Sequence, residues 1–302
     1  MDEEPTENIG SDSGTEMGSE PATADGRAGR VVDRLGELYW RKHYGGRDAF
    51  ECLVRTVLSQ NTADTASQRA HDALMDRYGS ETPRASGRDG GPASEASGTS
   101  SDRGSDGEHG NPRDDEGDLA AALADARRDD LAETISPAGL QNQKAETLVR
   151  LAGRVREEYD DAEAFDEFVA GGDPGAVREA LLEMTGVGPK TADCVLLFAG
   201  GQAGVFPVDT HVHRIARRIG LAPADADHET VREHLETAVR DENCGFGHTA
   251  MIQFGREYCT AREPACLEGP EACPMADLCD KVGVLPETGA VVDPAEALAG
   301  DD

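Results

Sequence analysis

The chain has 302 residues, with 60 Asp and Glu against 29 Lys and Arg, a formal net charge of −31, and 4% aromatic residues. That length suits one large or two small domains, no apolar run approaches membrane-spanning length, and the acidic N-terminus is unlike a signal sequence, so a cytoplasmic protein with no membrane partner is expected. The acidity argues superficially against the basic footprint of nucleic-acid binders, but scarce lysine (Lys42, Lys144, Lys190 and Lys281) with abundant carboxylates suggests adaptation to high salt, which screens repulsion from phosphate.

Residues 1–27 are polar, acidic and without an apolar period, and read as a disordered tail. Phe50, Leu53, Val54, Val57 and Leu58 then recur at helical spacing. Residues 80–117, which include Ser94-Glu95-Ala96-Ser97-Gly98-Thr99-Ser100-Ser101, form a long polar tract that reads as a disordered insertion. Helical spacing returns at Leu148, Leu151, Ala152, Val155 and Tyr159, again at Val177, Ala180, Leu181 and Met184, and once more at Ala192, Val195, Leu196 and Ala199. No alternating strand stands out, and Ala203–Pro207 reads at most as a short extended link. Residues 284–302 read as a C-terminal tail. The expected fold class is all-α, with about ten helices joined by short loops.

The most informative stretch is Gly186-Val187-Gly188-Pro189-Lys190, followed by Val208-Asp209-Thr210-His211. Two helices joined by Gly186-Val187-Gly188 make a helix–hairpin–helix over 176–199, with Pro189 at the first position of the second helix and Val187 pinning the turn to the core. A tight Gly-x-Gly turn bares backbone N–H groups, so phosphate is a natural ligand for Gly186 and Gly188. A lysine at a helix start opposes the dipole, which lowers its pKa and favours the free amine a nucleophile needs. Each residue also has an ordinary reading: an αL turn for the glycines, a solvated surface lysine, and an N-cap for Asp209.

Of seven cysteines, Cys52, Cys194 and Cys244 read as small buried side chains. Cys259, Cys266, Cys273 and Cys279 cluster as C-x6-C-x6-C-x5-C in a proline-containing loop, which suggests a metal centre rather than disulfides. Structural zinc usually recruits close C-x2–4-C pairs, whereas wider spacing suits an iron–sulfur cube with one thiolate per iron; zinc remains the alternative.

With hairpin, lysine, aspartate and cysteine loop in this order, the chain resembles the helix–hairpin–helix DNA glycosylase superfamily, and the endonuclease III family in particular, over residues 28–283. Met184 through Ala192 matches the family's Leu-Pro-Gly-Val-Gly-Arg-Lys-Thr-Ala, and Val208-Asp209-Thr210-His211 its Val-Asp-Thr-His. Gly139 through Ala145 resembles a helix start in that family, and Leu58 through Asp64 the segment that lies against the lesion. Two departures stand out. Six residues, Leu267 to Ala272, separate the second and third cysteines where the family has two, and Asn61 aligns with the lesion-side glutamine while Gln60 sits one place earlier.

The resemblance implies a two-lobed fold: a six-helix barrel over 46–203, and an iron–sulfur lobe over 204–283 against which an N-terminal helix, 28–45, packs. It implies a bifunctional glycosylase and abasic-site lyase acting on oxidised pyrimidines, with Lys190 as nucleophile and Asp209 assisting it. A [4Fe-4S] cluster on Cys259, Cys266, Cys273 and Cys279 is implied as well, as are DNA contacts from Gly186, Gly188, Gln60, Asn61 and Arg262. The implied partner is double-stranded DNA with damaged bases or abasic sites, met by a monomer at the nucleoid. The rival is a non-catalytic DNA-binding module holding iron–sulfur or zinc, which would keep the glycines and cysteines but has no reason to place Lys190 and Asp209 as found.

Overall fold

The computed structural model describes residues 26–40, 45–79 and 118–298. The expected 80–117 insertion and residues 1–25 of the expected N-terminal tail lie outside the described residues. Arg27, placed in that tail, instead opens α1 (Arg27–Leu38).

The architecture is helical, and part of the acidic excess builds it. Aspartates are the N-caps of α2 (Ala49–Ser59), α4 (Leu119–Ala124), α7 (Ala162–Gly171), α8 (Pro174–Leu182), α10 (Thr210–Ile219) and α11 (His228–Ala238). Each accepts a first-turn backbone N–H that the helix leaves unpaired, so carboxylates stand where the dipole favours them.

Two hydrophobic cores form. The first is built by α2, α3 (Asp64–Tyr78), α4, α5 (Arg128–Thr134), α6 (Gln141–Tyr159), α7, α8 and α9 (Pro189–Phe198), and buries Phe50, Leu53, Leu58, Leu123, Leu131 and Phe165. The helical stripes read from the sequence are its lining, except that Ala180 is only half-buried outside it and Tyr159 sits at the margin, packed on the rings of Phe165 and Phe168 at 5.1 and 5.0 Å. The second core joins α1 to α10, α11 and α12 (Asp241–Glu257), burying Val31, Leu35, Ile215, Phe246 and Phe254. At about 25 cal/mol per Å² of apolar surface, such side chains contribute roughly 1.5–3 kcal/mol each.

The segment from Val284, expected as a tail, is ordered as far as Leu298. Val284 and Leu285 (β1, Val284–Leu285) pair antiparallel with Val291 and Ala290 (β2, Ala290–Val291), and α13 (Pro294–Leu298) follows. Asp293 accepts two 3.0 Å hydrogen bonds from the Arg217 guanidinium at the end of α10, and Val282 N–H donates to the Arg218 carbonyl at 3.0 Å. Strands of two residues leave no readable alternation, and the anchoring partner lies on a helix far away in sequence.

Candidate active site

A cleft of about 1160 Å³ runs between the two cores. Its floor is made of buried side chains, Cys52 and Thr56 from α2, Cys194 from α9, and His248 and Thr249 from α12. Its rim carries Arg47, Arg55, Arg69 and Arg256, so a chain of net charge −31 presents cations where phosphates would run. Arg256 on α12 bridges to Asp64 on α3 at 2.5 Å, tying the two walls together.

Lys190 and Asp209 come from different elements and both line this cleft. Pro189 starts α9 and sets Lys190 in its first turn. Asp209 is the N-cap of α10, with Oδ1 accepting from the N–H groups of His211 and Val212 at 2.9 and 2.8 Å. The ordinary cap reading therefore holds for one oxygen, and Oδ2 takes no hydrogen bond from the described residues. The lowered lysine pKa expected from the helix start is not found. Cys194, one turn along α9, and then Asp209 hold the Lys190 ammonium above its ordinary range, outweighing the burial that lowers it. Burial pushes the Cys194 thiol up, so near neutral pH it carries no charge, and Asp209 is the anion that Lys190 meets.

The hairpin sits beside them. Gly186 adopts φ +96°, and a Cβ there would come within 2.5 Å of Thr147 Cγ2, so glycine is required by both backbone and packing. Gly188 has an ordinary φ of −101° and open space where its Cβ would stand. Among the described residues no contact demands glycine at 188. Val187, between them, is buried in the first core.

Gln60 spans to the hairpin, its Nε2 donating to Gly186 O at 3.4 Å and Thr191 Oγ1 at 3.3 Å. Asn61 is exposed on the cleft lining with φ +53°. The sequence did not announce what holds this turn. Lys144, 4% exposed, donates from Nζ to Leu58 O at 2.8 Å, Thr62 Oγ1 at 2.7 Å and Ala138 O at 3.0 Å. Nearby Leu140 is 57% exposed in the left-handed region, at φ +48°. A large apolar side chain held outward in a strained conformation is a signal of function that only coordinates reveal. Arg262 is exposed on the cysteine loop and contributes nothing to the lining of the cleft.

Cys259, Cys266, Cys273 and Cys279 line one small cavity of about 20 Å³, walled by Ile219, Phe254, Met275 and Val284. Among the described residues no three His, Cys, Asp or Glu side chains are gathered tightly enough to hold a metal ion. Four cysteine side chains on one cavity are the donor set that an iron–sulfur cube takes, one thiolate per iron. Donors aimed at the sulfurs strengthen that fit: Arg218 Nη1 lies 3.6 Å from Cys259 Sγ, and Lys281 N–H donates to Cys279 Sγ at 3.3 Å. In the six-residue spacer, Leu267 ends the 3-10 turn Ala265–Leu267 that carries Cys266, and Pro270–Ala272 form a second 3-10 turn with no buried residue, so the extra length is accommodated at the surface. On the same helix that Asp209 caps, Arg214 donates to Cys259 O at 3.1 and 2.8 Å and to Gly255 O at 3.1 Å.

Residues 54–241 match the family described as HhH-GPD superfamily base excision DNA repair protein. The chain belongs to that superfamily of base excision DNA repair proteins. Endonuclease III of Thermotoga maritima is 29% identical over 233 residues, covering 77% of this chain and 83% of the relative. Endonuclease III of Bacillus subtilis is 32% identical over 163 residues, covering 52% and 67%. A solved structure of endonuclease III trapped in a covalent intermediate with DNA superposes with a TM-score of 0.58 at 22% identity, over 83% of this chain and 93% of that one. Within the superfamily the chain is a member of the endonuclease III family, whose enzymes are DNA glycosylases and abasic-site lyases.

Proposed function

We propose that this base excision repair glycosylase and lyase removes oxidised pyrimidines from duplex DNA and nicks 3′ to the abasic site, with Lys190 as nucleophile and Asp209 as its partner. The observation that carries the reading is that α9 and the start of α10 bring one amine and one carboxylate to the same arginine-rimmed cleft, beside a phosphate-ready hairpin. A base inside a duplex is out of reach, so the nucleotide is extruded at a cost of roughly a few kcal/mol, least for a poorly paired lesion. The hairpin amides hold phosphate without reading sequence, Gln60 braces the hairpin, and Asn61 and Leu140 enter the space the base vacates.

Lys190 gives up a proton, and its nitrogen lone pair forms a bond to C1′. The C1′–N bond breaks, and the base leaves with that electron pair and takes a proton. The nitrogen now bound to C1′ loses a proton, and its lone pair forms an iminium on Lys190 as the C1′–O4′ bond breaks and O4′ takes a proton. Loss of a C2′ proton then expels the 3′-phosphate by β-elimination, and water releases the lysine. Asp209 Oδ2 stabilises the positive charge developing on the sugar and assists deprotonation of Lys190.

Cys259, Cys266, Cys273 and Cys279 are the residues that would hold a [4Fe-4S] cluster, whose bonds, when present, tie the loop together. Arg262 on that loop is a phosphate contact outside the cleft. One chain supplies both walls of the site, so a monomer at the nucleoid suffices, and the acidic surface is that of a salt-adapted organism's protein.

Borohydride trapping in high-salt buffer tests the reading, on duplexes carrying thymine glycol or an abasic site. Covalent adducts are expected with both, lost in Lys190→Gln, and slowed at least tenfold in Asp209→Asn, about 1.4 kcal/mol of barrier. Brown protein that binds DNA yet forms no adduct would make it a binding module instead, and colourless protein with bound zinc would remove the cluster.

A further inference from the structure

Among the titratable groups on the cleft floor that this mechanism leaves idle, one is an imidazole. His248 is 2% exposed and lines the cleft with Lys190 and Asp209. Its Nδ1 lies 2.7 Å from the carbonyl oxygen of Pro207. A carbonyl only accepts, so Nδ1 carries the proton and donates, which leaves Nε2 of the neutral ring with a lone pair. That Nε2 has no hydrogen-bond partner among the described residues, yet it is absent from their fully enclosed unpartnered atoms, so it opens into the cleft. Other polar groups on the floor are spoken for as donors: Thr56 Oγ1 donates to Cys52 O at 2.8 Å and Thr249 Oγ1 to Phe246 O at 3.2 Å. The Phe198 ring, 6.4 Å from the imidazole between centroids, supplies a flat apolar wall next to it.

We infer that His248 is a base-contacting specificity residue: its Nε2 accepts a hydrogen bond from the N3–H of the extruded pyrimidine. This rests on the glycosylase reading above. Thymine- and uracil-derived lesions carry a donor at N3, between two carbonyls. Cytosine presents a lone pair there, which would face the Nε2 lone pair. An acceptor of fixed tautomer therefore selects imide-type pyrimidines and turns normal cytosine away, because a buried site that loses its hydrogen bond discriminates strongly. The abasic sugar has no base for His248 to hold, so lyase action on a preformed abasic site does not need it.

The experiment compares three full-length proteins on duplexes with 5,6-dihydrothymine, N3-methyl-5,6-dihydrothymine or an abasic site. His248→Asn keeps a donor for Pro207 and loses the acceptor at the Nε2 position. His248→Gln reaches that position with its amide oxygen and serves as the conservative rescue; circular dichroism verifies that both fold. Wild type is expected to excise dihydrothymine at least tenfold faster than its N3-methyl form. His248→Asn is expected to lose at least tenfold on dihydrothymine, to erase the N3-methyl penalty, and to retain abasic cleavage within threefold, with His248→Gln recovering part of the loss. Equal loss on the dihydrothymine and abasic duplexes would assign His248 to Lys190 or Asp209 and overturn the inference. So would excision by His248→Asn at the wild-type rate, or a penalty for N3-methylation that survives in it. Wild type that releases no base while still cleaving abasic DNA would refute the oxidised-pyrimidine reading itself, and this inference with it.

Discussion

Replacing Lys144 with methionine keeps the length of the side chain and removes the ammonium that pins the turn before α3 to α6. Three oxygens meet Nζ, but they do not lose equally. Thr62 Oγ1 also donates to Ala138 O at 2.6 Å, so those two retain each other. Leu58 O, near the C-terminal end of α2, has Nζ as its partner at 2.8 Å and is left unmet. A stranded buried acceptor costs about 1–3 kcal/mol, and the lost charge-assisted bond to Thr62 adds about 1 kcal/mol, offset in part because no ammonium need be desolvated. The net loss is about 2 kcal/mol, or a fall in Tm of roughly 4–8 °C at this size. Thermal and guanidinium unfolding read it directly. Burial lowers the Lys144 pKa, so between that value and the ordinary lysine value the unfolded chain binds more protons, and wild type gains stability as pH rises through the window. Lys144→Met should lack this slope. Because the same ammonium holds Gln60 and Asn61 in place, fluorescence of 2-aminopurine placed opposite the lesion should rise less on binding the variant. A loss below about 0.5 kcal/mol, with 2-aminopurine unchanged, would refute the argument that this ammonium is a buried latch.

The hairpin glycines should separate by readout. Gly186→Ala forces a Cβ against Thr147 at positive φ and should cost about 1–3 kcal/mol in denaturant unfolding, whereas Gly188→Ala, with open space at its Cβ, should stay within about 1 kcal/mol yet weaken binding of undamaged duplex in a salt titration. Equal destabilisation by both would mean that 188 is constrained by the fold and not by an approaching phosphate. Acid should weaken the fold through His248. Burial holds its pKa down at about 4 against 6.5 for a free imidazole, so stability is full above 6.5 and declines as pH falls, by about 3 kcal/mol at pH 4. Unfolding measured from pH 7 to 4 in wild type and His248→Asn tests this; parallel profiles would show that the imidazole is not buried neutral.

Much of this protein was legible before any coordinates. The helical stripes around Phe50, Leu148 and Val195 became core because a repeat of three to four residues can bury only one helix face. Gly186 and the Pro189 start of α9 were readable because they answer local demands of backbone geometry. Quantities that depend on neighbours distant in sequence were not. The helix dipole alone points to a low Lys190 pKa, whereas Cys194 beneath it and Asp209 from another helix hold it high. The ordered hairpin at Val284 escaped notice because its anchor is Arg217 on α10. His248 carried no motif at all. Its meaning comes from the Pro207 carbonyl that fixes its tautomer and from the cleft that its free nitrogen meets. Sequence alone determined the helical stripes of the first core and which residue types recur in order, since those depend on contacts within a turn or two. Only the tertiary structure decided which charges face each other and which lone pair is left open, because electrostatic and hydrogen-bond energies depend on distances across the cleft.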